Sequence, residues 1–327
     1  MGTLRPMVLV APRPLQRPTS GAVATRAGAG GELLALLRDT AARPSFDPGL
    51  AGGLRAWLED AAFGVVASRG DLAPALVLGP RELLGTGSVA GAGPGTAAGV
   101  AEGGTDDAAF SVEAVVSRLV HVLFRRLVVD GAVEDAVVDP LGDALDACRA
   151  EGPGGAGAAT VASVEAMDEG SRKALRTVVA SHAAHLANLL PRLAPAWMPR
   201  TDDRVAIPLA GGRIVLHGVF DLLVGLPRPD TASLCALGLC TGGSWARERR
   251  SLHYLALLET LRSGTPPYRL ALLETGSGRY GVEDVREEHL RAIASHLAAW
   301  LGATAGGAGG DIGEVGVVGA IAVAERG

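Results

Sequence analysis

The sequence predicts an α/β fold, because its apolar residues repeat with helical spacing over the first two hundred positions and with strand-like spacing afterwards. Residues 112–129 place a wide apolar face on one helix. After Asp202 and Asp203 the period shortens, first in Val205–Leu209 and then in residues 213–224. With 327 residues, 48% of them hydrophobic, the chain is long enough to bury a sizeable core.

Each element is predicted from its periodicity and from the Pro and Gly residues that bound it. The turn Ala210-Gly211-Gly212 joins two strands into a hairpin. Helices are predicted at residues 31–65 (two, divided at Pro44 and the turn 47–49), 112–129, 131–150, 161–193, 246–263 and 286–301. Strands are predicted at residues 76–78, 205–209, 213–224, 234–240, 268–274 and 280–285.

Composition divides the chain into five parts. Residues 1–30 are predicted to be a flexible leader, and residues 31–84 an N-terminal helical region. Residues 85–107 are rich in Gly and Ala and are predicted to be a linker. Residues 108–302 form the main predicted domain, and residues 303–327 a Gly-rich tail.

Charge and cysteine content exclude several classes of function. A net charge of -5 provides no general electrostatic attraction for nucleic acid. Lys173 is the only lysine, and the Arg, Ala, Gly and Val richness is typical of a GC-rich bacterial genome. Cys148, Cys235 and Cys240 include no C-x-x-C pair, so neither an iron–sulfur cluster nor a disulfide framework is expected. Cys235 and Cys240 are five residues apart on one strand and should point to opposite faces.

No apolar run has the length of a membrane span or of a signal-peptide core. We therefore expect a cytoplasmic protein that makes no membrane contact.

Three short motifs stand in the order helix, strand, strand. Ser117 to His121 lies on the helix at 112–129, Gly218-Val219-Phe220-Asp221 on the strand at 213–224, and Thr241-Gly242 after the strand at 234–240. This arrangement resembles the PD-(D/E)XK nuclease superfamily, in its RecB/Cas4-like branch, over roughly residues 112–301. The resemblance implies a three-layer α/β/α sandwich with a central mixed sheet, here with a helical N-terminal extension.

The same resemblance implies a metal-dependent nuclease site. Asp221 would be the catalytic metal-binding acid and His121 a second ligand, for Mg²⁺ or Mn²⁺. In the family the next strand carries an acid and a lysine, and alignment on Thr241-Gly242 places Gly238 and Cys240 at those positions. Neither residue can replace the missing group, because the chemistry needs carboxylates for the metal and a cation near the attacking water.

The resulting prediction is a catalytically inactive, nuclease-like protein with no cofactor. It would act as a binding or scaffolding component with a protein or DNA partner, in DNA processing or defence. Arg247, Arg249 and Arg250, at the start of the following helix, are the candidate DNA-binding residues.

Two other functions remain open. One is an active Mg-dependent phosphodiesterase that uses Asp221, His121 and a relocated acid, Glu248 or Glu259. The other is a small-molecule-binding regulatory module with an apolar pocket lined by Cys240.

Structural roles are also open for the residues in question. Asp221 would then hydrogen-bond backbone amides at a bend between strand segments, and His121 would be a satisfied core histidine. His217 and His253 are interpreted as packing or surface residues, and Glu283-Asp284 as surface charges. Asp202-Asp203 are interpreted as the end of a loop that precedes the first strand of the hairpin.

Overall fold

The fold is mixed α/β, as predicted, in the part of the chain that the structure describes. The computed structural model describes residues 32–38, 43–69, 75–80, 111–130, 139–190, 193–228 and 231–305. The predicted leader 1–30, the predicted linker 85–107 and most of the predicted tail lie outside these ranges.

Eight α-helices lie within the described ranges. They are α1 Glu32–Arg38, α2 Leu50–Arg69, α3 Val112–Asp130, α4 Pro140–Ala150, α5 Ala156–Glu165, α6 Glu169–Leu189, α7 Trp245–Ser263 and α8 Glu287–Ala305. None of the helices searched is long and apolar enough to cross a membrane.

The predicted single helix at 161–193 is wrong, because the chain turns between α5 and α6. Asp168 caps the start of α6, and its side chain accepts the Ser171 backbone N–H at 2.9 Å. An Asp at this position satisfies an amide that has no partner within the helix, so it favours a new helix start over continuation. Periodicity alone could not detect this break, since both helices keep an apolar face.

Six strands form one mixed sheet. They are β1 Leu76–Leu78, β2 Arg200–Leu209, β3 Ile214–Val224, β4 Cys235–Cys240, β5 Arg269–Glu274 and β6 Arg279–Asp284. The strand β2 begins at Arg200, before the predicted start at Val205. The prediction that Asp202 and Asp203 end a loop is therefore wrong, because both residues lie within the strand. Ion pairs of both aspartates with arginines on helices keep these polar residues in the strand.

Strand β3 pairs with three other strands of the sheet. Strand β2 pairs antiparallel with nearly its whole length, from Leu209↔Ile214 to Arg200↔Leu223. On the other edge of β3, β1 pairs parallel with its first residues and β4 antiparallel with its last three. Strand β5 then pairs parallel with β4 after the α7 crossover, and β6 pairs antiparallel with β5.

The buried apolar residues form two clusters, which divide the strand residues between them. Cluster A combines α1 and α3–α6 with Leu222, Cys235, Leu237, Leu239, Ala271, Leu273 and Tyr280. Cluster B combines α2, α7 and α8 with Ile214, Leu216, Phe220, Leu223, Ala236, Cys240, Leu270 and Leu272. Cys235 and Cys240 thus point to opposite faces, as predicted from their spacing.

The N-terminal region shares this core. Leu50, Leu54 and Leu58 recur every four residues along α2, and all three are buried in cluster B. Glu59 on the same helix accepts the Ala210 backbone N–H at 2.6 Å, which ties α2 to the β2–β3 turn. Strand β1, from the N-terminal region, also pairs with β3, so this region contributes to the same sheet as the rest of the described chain.

Gly225, directly after β3, provides a test of the backbone geometry. Its φ is +101°, and an added Cβ would lie 2.3 Å from the carbonyl oxygen of Ser233. We expect Gly225→Ala to lower the free energy of unfolding by more than about 2 kcal/mol, because both the backbone angle and the contact are unfavourable for Ala. Urea unfolding followed by far-UV circular dichroism measures this change.

The matched control is Gly64→Ala in α2, where an added Cβ meets nothing within 4 Å. Ala has the higher helix propensity, so this variant should gain about 0.5–1 kcal/mol. A Gly225→Ala protein as stable as the wild type would contradict the backbone described for residues 224–226.

Candidate functional site

The two residues predicted to bind a metal lie side by side in the fold. His121 Nε2, on α3, is 3.2 Å from Asp221 Oδ1, on β3. Both side chains are about one quarter exposed, at 28% and 22%. The other carboxylate oxygen of Asp221 accepts the Leu239 backbone N–H of β4 at 2.8 Å. The Asp221 carboxylate therefore connects a helix and two strands.

The sheet is irregular at the level of Asp221. Phe220 and Leu222 would share a face in a regular strand, but Phe220 belongs to cluster B and Leu222 to cluster A. Across from Asp221 on β2, Asp202 has a φ of +52°, a left-handed conformation that Asp tolerates better than most residues. Pairing of β3 with β4 also ends here, at Leu222↔Leu237. The Asp221 side chain satisfies the Leu239 amide beyond the end of that ladder.

The two partners of His121 favour the protonated form of its ring. Its Nδ1 is 2.6 Å from the Ser117 carbonyl oxygen, which can only accept, so Nδ1 carries a proton. Its Nε2 faces a carboxylate, which favours a proton there as well. Burial lowers the pKa of His121, but attraction and hydrogen bonding to Asp221 and the Ser117 bond outweigh it, so the pKa is raised from 6.5. A metal ion would have to displace the proton on Nε2.

An arginine–carboxylate network lies beside this pair. Arg125 donates to Asp202 Oδ2 at 2.7 Å and to Glu151 Oε1 at 2.8 Å. Glu151 also pairs with the buried Arg118. Burial raises the pKa of Glu151, but the two arginines outweigh burial and hold it below its usual value. Asp202 and Glu151 are therefore both paired with guanidinium groups.

A cavity of about 410 Å³ opens against this network and is lined in part by Arg125, Glu151 and Asp202. No group of three or more His, Cys, Asp or Glu side chains in the described ranges is arranged to hold a metal ion. His121 and Asp221 could supply only two ligands, and Mg²⁺ prefers several oxygens.

The positions aligned with the family's acid and lysine lie on the other face of the sheet. Cys240 belongs to cluster B, and a Cβ added at Gly238 would meet Leu252 and Leu272 of the same cluster. The alignment on Thr241-Gly242 therefore does not bring Gly238 or Cys240 to Asp221. On the side of the sheet that faces His121, β4 carries the buried residues Leu237 and Leu239.

The two relocated acids considered from the sequence lie on α7, whose buried residues belong to cluster B. Glu259 is fully buried and pairs with Arg262 at 2.5 Å. Burial raises the pKa of Glu259 despite this partner. Glu248 lies in the first turn of α7, and a Cβ added at Gly243 would approach its carboxylate at 3.1 Å. Helix α7 packs on cluster B, whereas α3, which carries His121, packs on cluster A.

The three arginines at the start of α7 are all half-buried. Arg249 binds Glu283 with two nitrogens, the closer contact being 2.6 Å. Arg250 Nε is buried without a hydrogen-bond partner in the described part of the chain. Arg247 has contacts of its own. Arg249 could contact a phosphate only if its ion pair with Glu283 were broken.

A second polar cluster was missed from the sequence. His253 Nε2 is 2.8 Å from Glu283 Oε1, and the His253 ring stacks on that of His289 with centroids 4.9 Å apart. The interpretation of Glu283 as a surface charge is wrong, because its side chain is only 23% exposed and α7 supplies both partners of its carboxylate. Arg249 and His253 are four residues apart on one helix face, and this spacing was the feature of the sequence that could have indicated a shared partner.

The sequence matches no protein-family model, and neither a curated protein nor a solved structure matches it.

Glu283 provides a test of the second cluster. Burial raises its pKa, but hydrogen bonds from His253 and Arg249 outweigh burial and bring the pKa to about 2. A depressed carboxyl pKa stabilises the fold above the unfolded pKa, near 4.5, and this contribution is lost as pH falls toward 2. We expect Glu283→Gln to cost about 2–3 kcal/mol at neutral pH and progressively less in acid.

Urea unfolding at a series of pH values measures both effects. Glu288→Gln is the matched control, because Glu288 is 62% exposed and its ion pair in the described ranges is with the exposed Arg286. It should change stability by less than about 0.5 kcal/mol. Equal effects of the two substitutions at neutral pH would show that the Glu283 cluster does not stabilise the fold.

Proposed function

We propose that this protein is a catalytically inactive, nuclease-like protein that acts as a binding or scaffolding component. Its fold would be a three-layer α/β/α sandwich with a PD-(D/E)XK-like core of the RecB/Cas4-like branch. DNA processing or defence is the context that this fold suggests by analogy.

The order of elements supports the proposed fold. Helix α6 is followed by β2, β3 and β4, then by α7 and β5, which is the helix, three strands, helix, strand order of that superfamily. The two buried clusters support helical layers on both faces of the sheet. The parallel β4–β5 pair with its α7 crossover supports the same arrangement.

The contacts of Asp221 carry the proposal that catalysis is absent. One oxygen faces His121 at 3.2 Å and the other accepts the Leu239 amide at 2.8 Å. Hydrolysis of a phosphodiester through this type of site needs carboxylates that hold Mg²⁺ and a group that orients water. The neighbouring positions, Leu237 and Leu239, supply neither.

A protein partner fits the charges better than DNA. The net charge is -5, and Arg249 at the start of α7 already binds Glu283. Near the Asp221 site, Arg125 is likewise bound to two acids. Contacts with DNA phosphates would have to break these ion pairs, and the cost would oppose binding.

One observation favours the second candidate, an active metal-dependent nuclease. His121 and Asp221 are adjacent, as the resemblance requires of two metal ligands. The third ligand would have to come from a rearrangement, because Glu259 is fully buried against Arg262.

Metal binding and DNA cleavage measured together distinguish the two candidates. Mg²⁺ and Mn²⁺ are titrated calorimetrically into the wild type and Asp221→Ala, and each protein is assayed with a fluorescent DNA substrate. We expect no saturable heat and no cleavage from either protein, because Asp221 already has two partners.

Asp146→Ala is the matched control, since Asp146 is 73% exposed and its ion pair in the described ranges is with Arg149 on the same helix. Saturable binding and cleavage by the wild type and by Asp146→Ala, both lost in Asp221→Ala, would establish the active nuclease instead.

A further inference from the structure

A second cavity lies at the end of β3, away from the Asp221 site. Its volume is about 490 Å³, within the range of small-molecule sites. It lies between the loop after β3, the start of β4, the short turn Pro195–Trp197 and the segment around Arg43. None of its lining residues belongs to the His121–Asp221 pair or to the Arg125 network.

One wall of this cavity is apolar and held in place by the backbone. Trp197 packs against cluster A, and its carbonyl oxygen accepts the Gly225 N–H at 2.8 Å. Met198 follows in a left-handed conformation, with a φ of +52°, and is 47% exposed. Leu226 on the other side is 49% exposed. A strained non-glycine residue that presents an apolar side chain to a cavity is typical of a binding site.

The back of the cavity is closed by groups that are already satisfied. The Cys235 thiol and the Tyr268 hydroxyl both donate to the Leu37 carbonyl oxygen, the thiol at 3.0 Å. Burial raises the pKa of Cys235 to about 11, so the thiol stays protonated. These groups present the Tyr268 ring and uncharged sulfur to a ligand.

The charged side chains that line the cavity in the described ranges are both arginines. Arg43 lies over the Tyr268 ring, with its guanidinium carbon 5.1 Å from the ring centroid. Arg228 lines the cavity as well, and both arginines are exposed. Neither has a carboxylate partner in the described ranges, and no Asp or Glu is among the described residues that line the cavity. Most other arginines near the core are bound to acids.

We propose that this cavity binds an anionic small molecule with a flat aromatic body. The ring would lie against Trp197 and Met198, and the anionic group would contact Arg43 and Arg228. Aromatic and thioether surfaces suit a flat ring, and guanidinium groups suit a carboxylate, sulfonate or phosphate. Among the described lining residues, no acid offsets the charges of the two arginines, which favours an anion over a neutral or cationic ligand.

Two fluorescent probes that share one ring system and differ by a sulfonate group test this proposal on the full chain. The anionic probe is 1-anilinonaphthalene-8-sulfonate, and N-phenyl-1-naphthylamine is its neutral counterpart. We expect saturable binding of one sulfonate probe per protein. Arg43→Gln and Arg228→Gln should each weaken it about five- to tenfold and leave the neutral probe unchanged.

Trp197→Ala should weaken both probes, because it removes the surface on which their shared ring system lies. Arg286→Gln is the matched control, since Arg286 is 57% exposed and does not line the cavity. It should change neither affinity. All the arginines substituted are exposed, so the variants are expected to fold, and far-UV circular dichroism checks this.

Three results would overturn the proposal. The first is the absence of saturable binding of the sulfonate probe by the folded wild type. The second is binding that Arg286→Gln weakens as much as Arg43→Gln or Arg228→Gln does. The third is binding of the neutral probe as tightly as the anionic one, with equal sensitivity to both cavity arginines.

Discussion

The hydrogen bond from the Leu239 amide to the Asp221 carboxylate is the contact on which the centre of the sheet depends. At this level the pairing of β3 with β4 ends, and Asp202 on β2 has a left-handed backbone conformation. The alternation of β3 side chains between the two clusters is also interrupted here, between Phe220 and Leu222. A partly buried carboxylate and an amide without a ladder partner would both be costly alone, and together they satisfy each other. The His121 ring contacts the other oxygen of Asp221 at 3.2 Å and links α3 to the strand.

The same contacts engage both oxygens of the Asp221 carboxylate, one with the Leu239 amide and one with the His121 ring. Both leucines of β4 on that face are buried in cluster A. Carboxylates elsewhere are likewise bound by arginines, as Asp202 and Glu151 are by Arg125. These ion pairs join side chains from different helices and strands. The cavity that contains Arg43 and Arg228 differs, because no acid is among its described lining residues.

Features set by local sequence were predictable, and features set by tertiary contacts were not. The apolar period of α3 and α7 and the alternation in β2 and β3 gave the elements to within a few residues, except where polar residues extend a strand or cap a helix, as at Asp168. The adjacency of His121 and Asp221 was reachable only through the family resemblance, because a hundred positions separate them. The Glu283 cluster joins two helices to a strand, and no single-segment pattern reports such a contact. Which side of the sheet Gly238 lies on depends on the register of β4, and an alignment on Thr241 does not determine that register.

The ring nitrogens of His121 offer the most direct test of the claim that Asp221 has a structural partner and binds no metal. Nitrogen-15 NMR of histidine-labelled protein, assigned with His121→Gln, reports the protonation of both nitrogens as pH and then Mn²⁺ are varied. We predict a pKa above 6.5 and no selective broadening of the His121 signals by Mn²⁺. A pKa below 6.5, with loss of the His121 signals at substoichiometric Mn²⁺, would contradict the account.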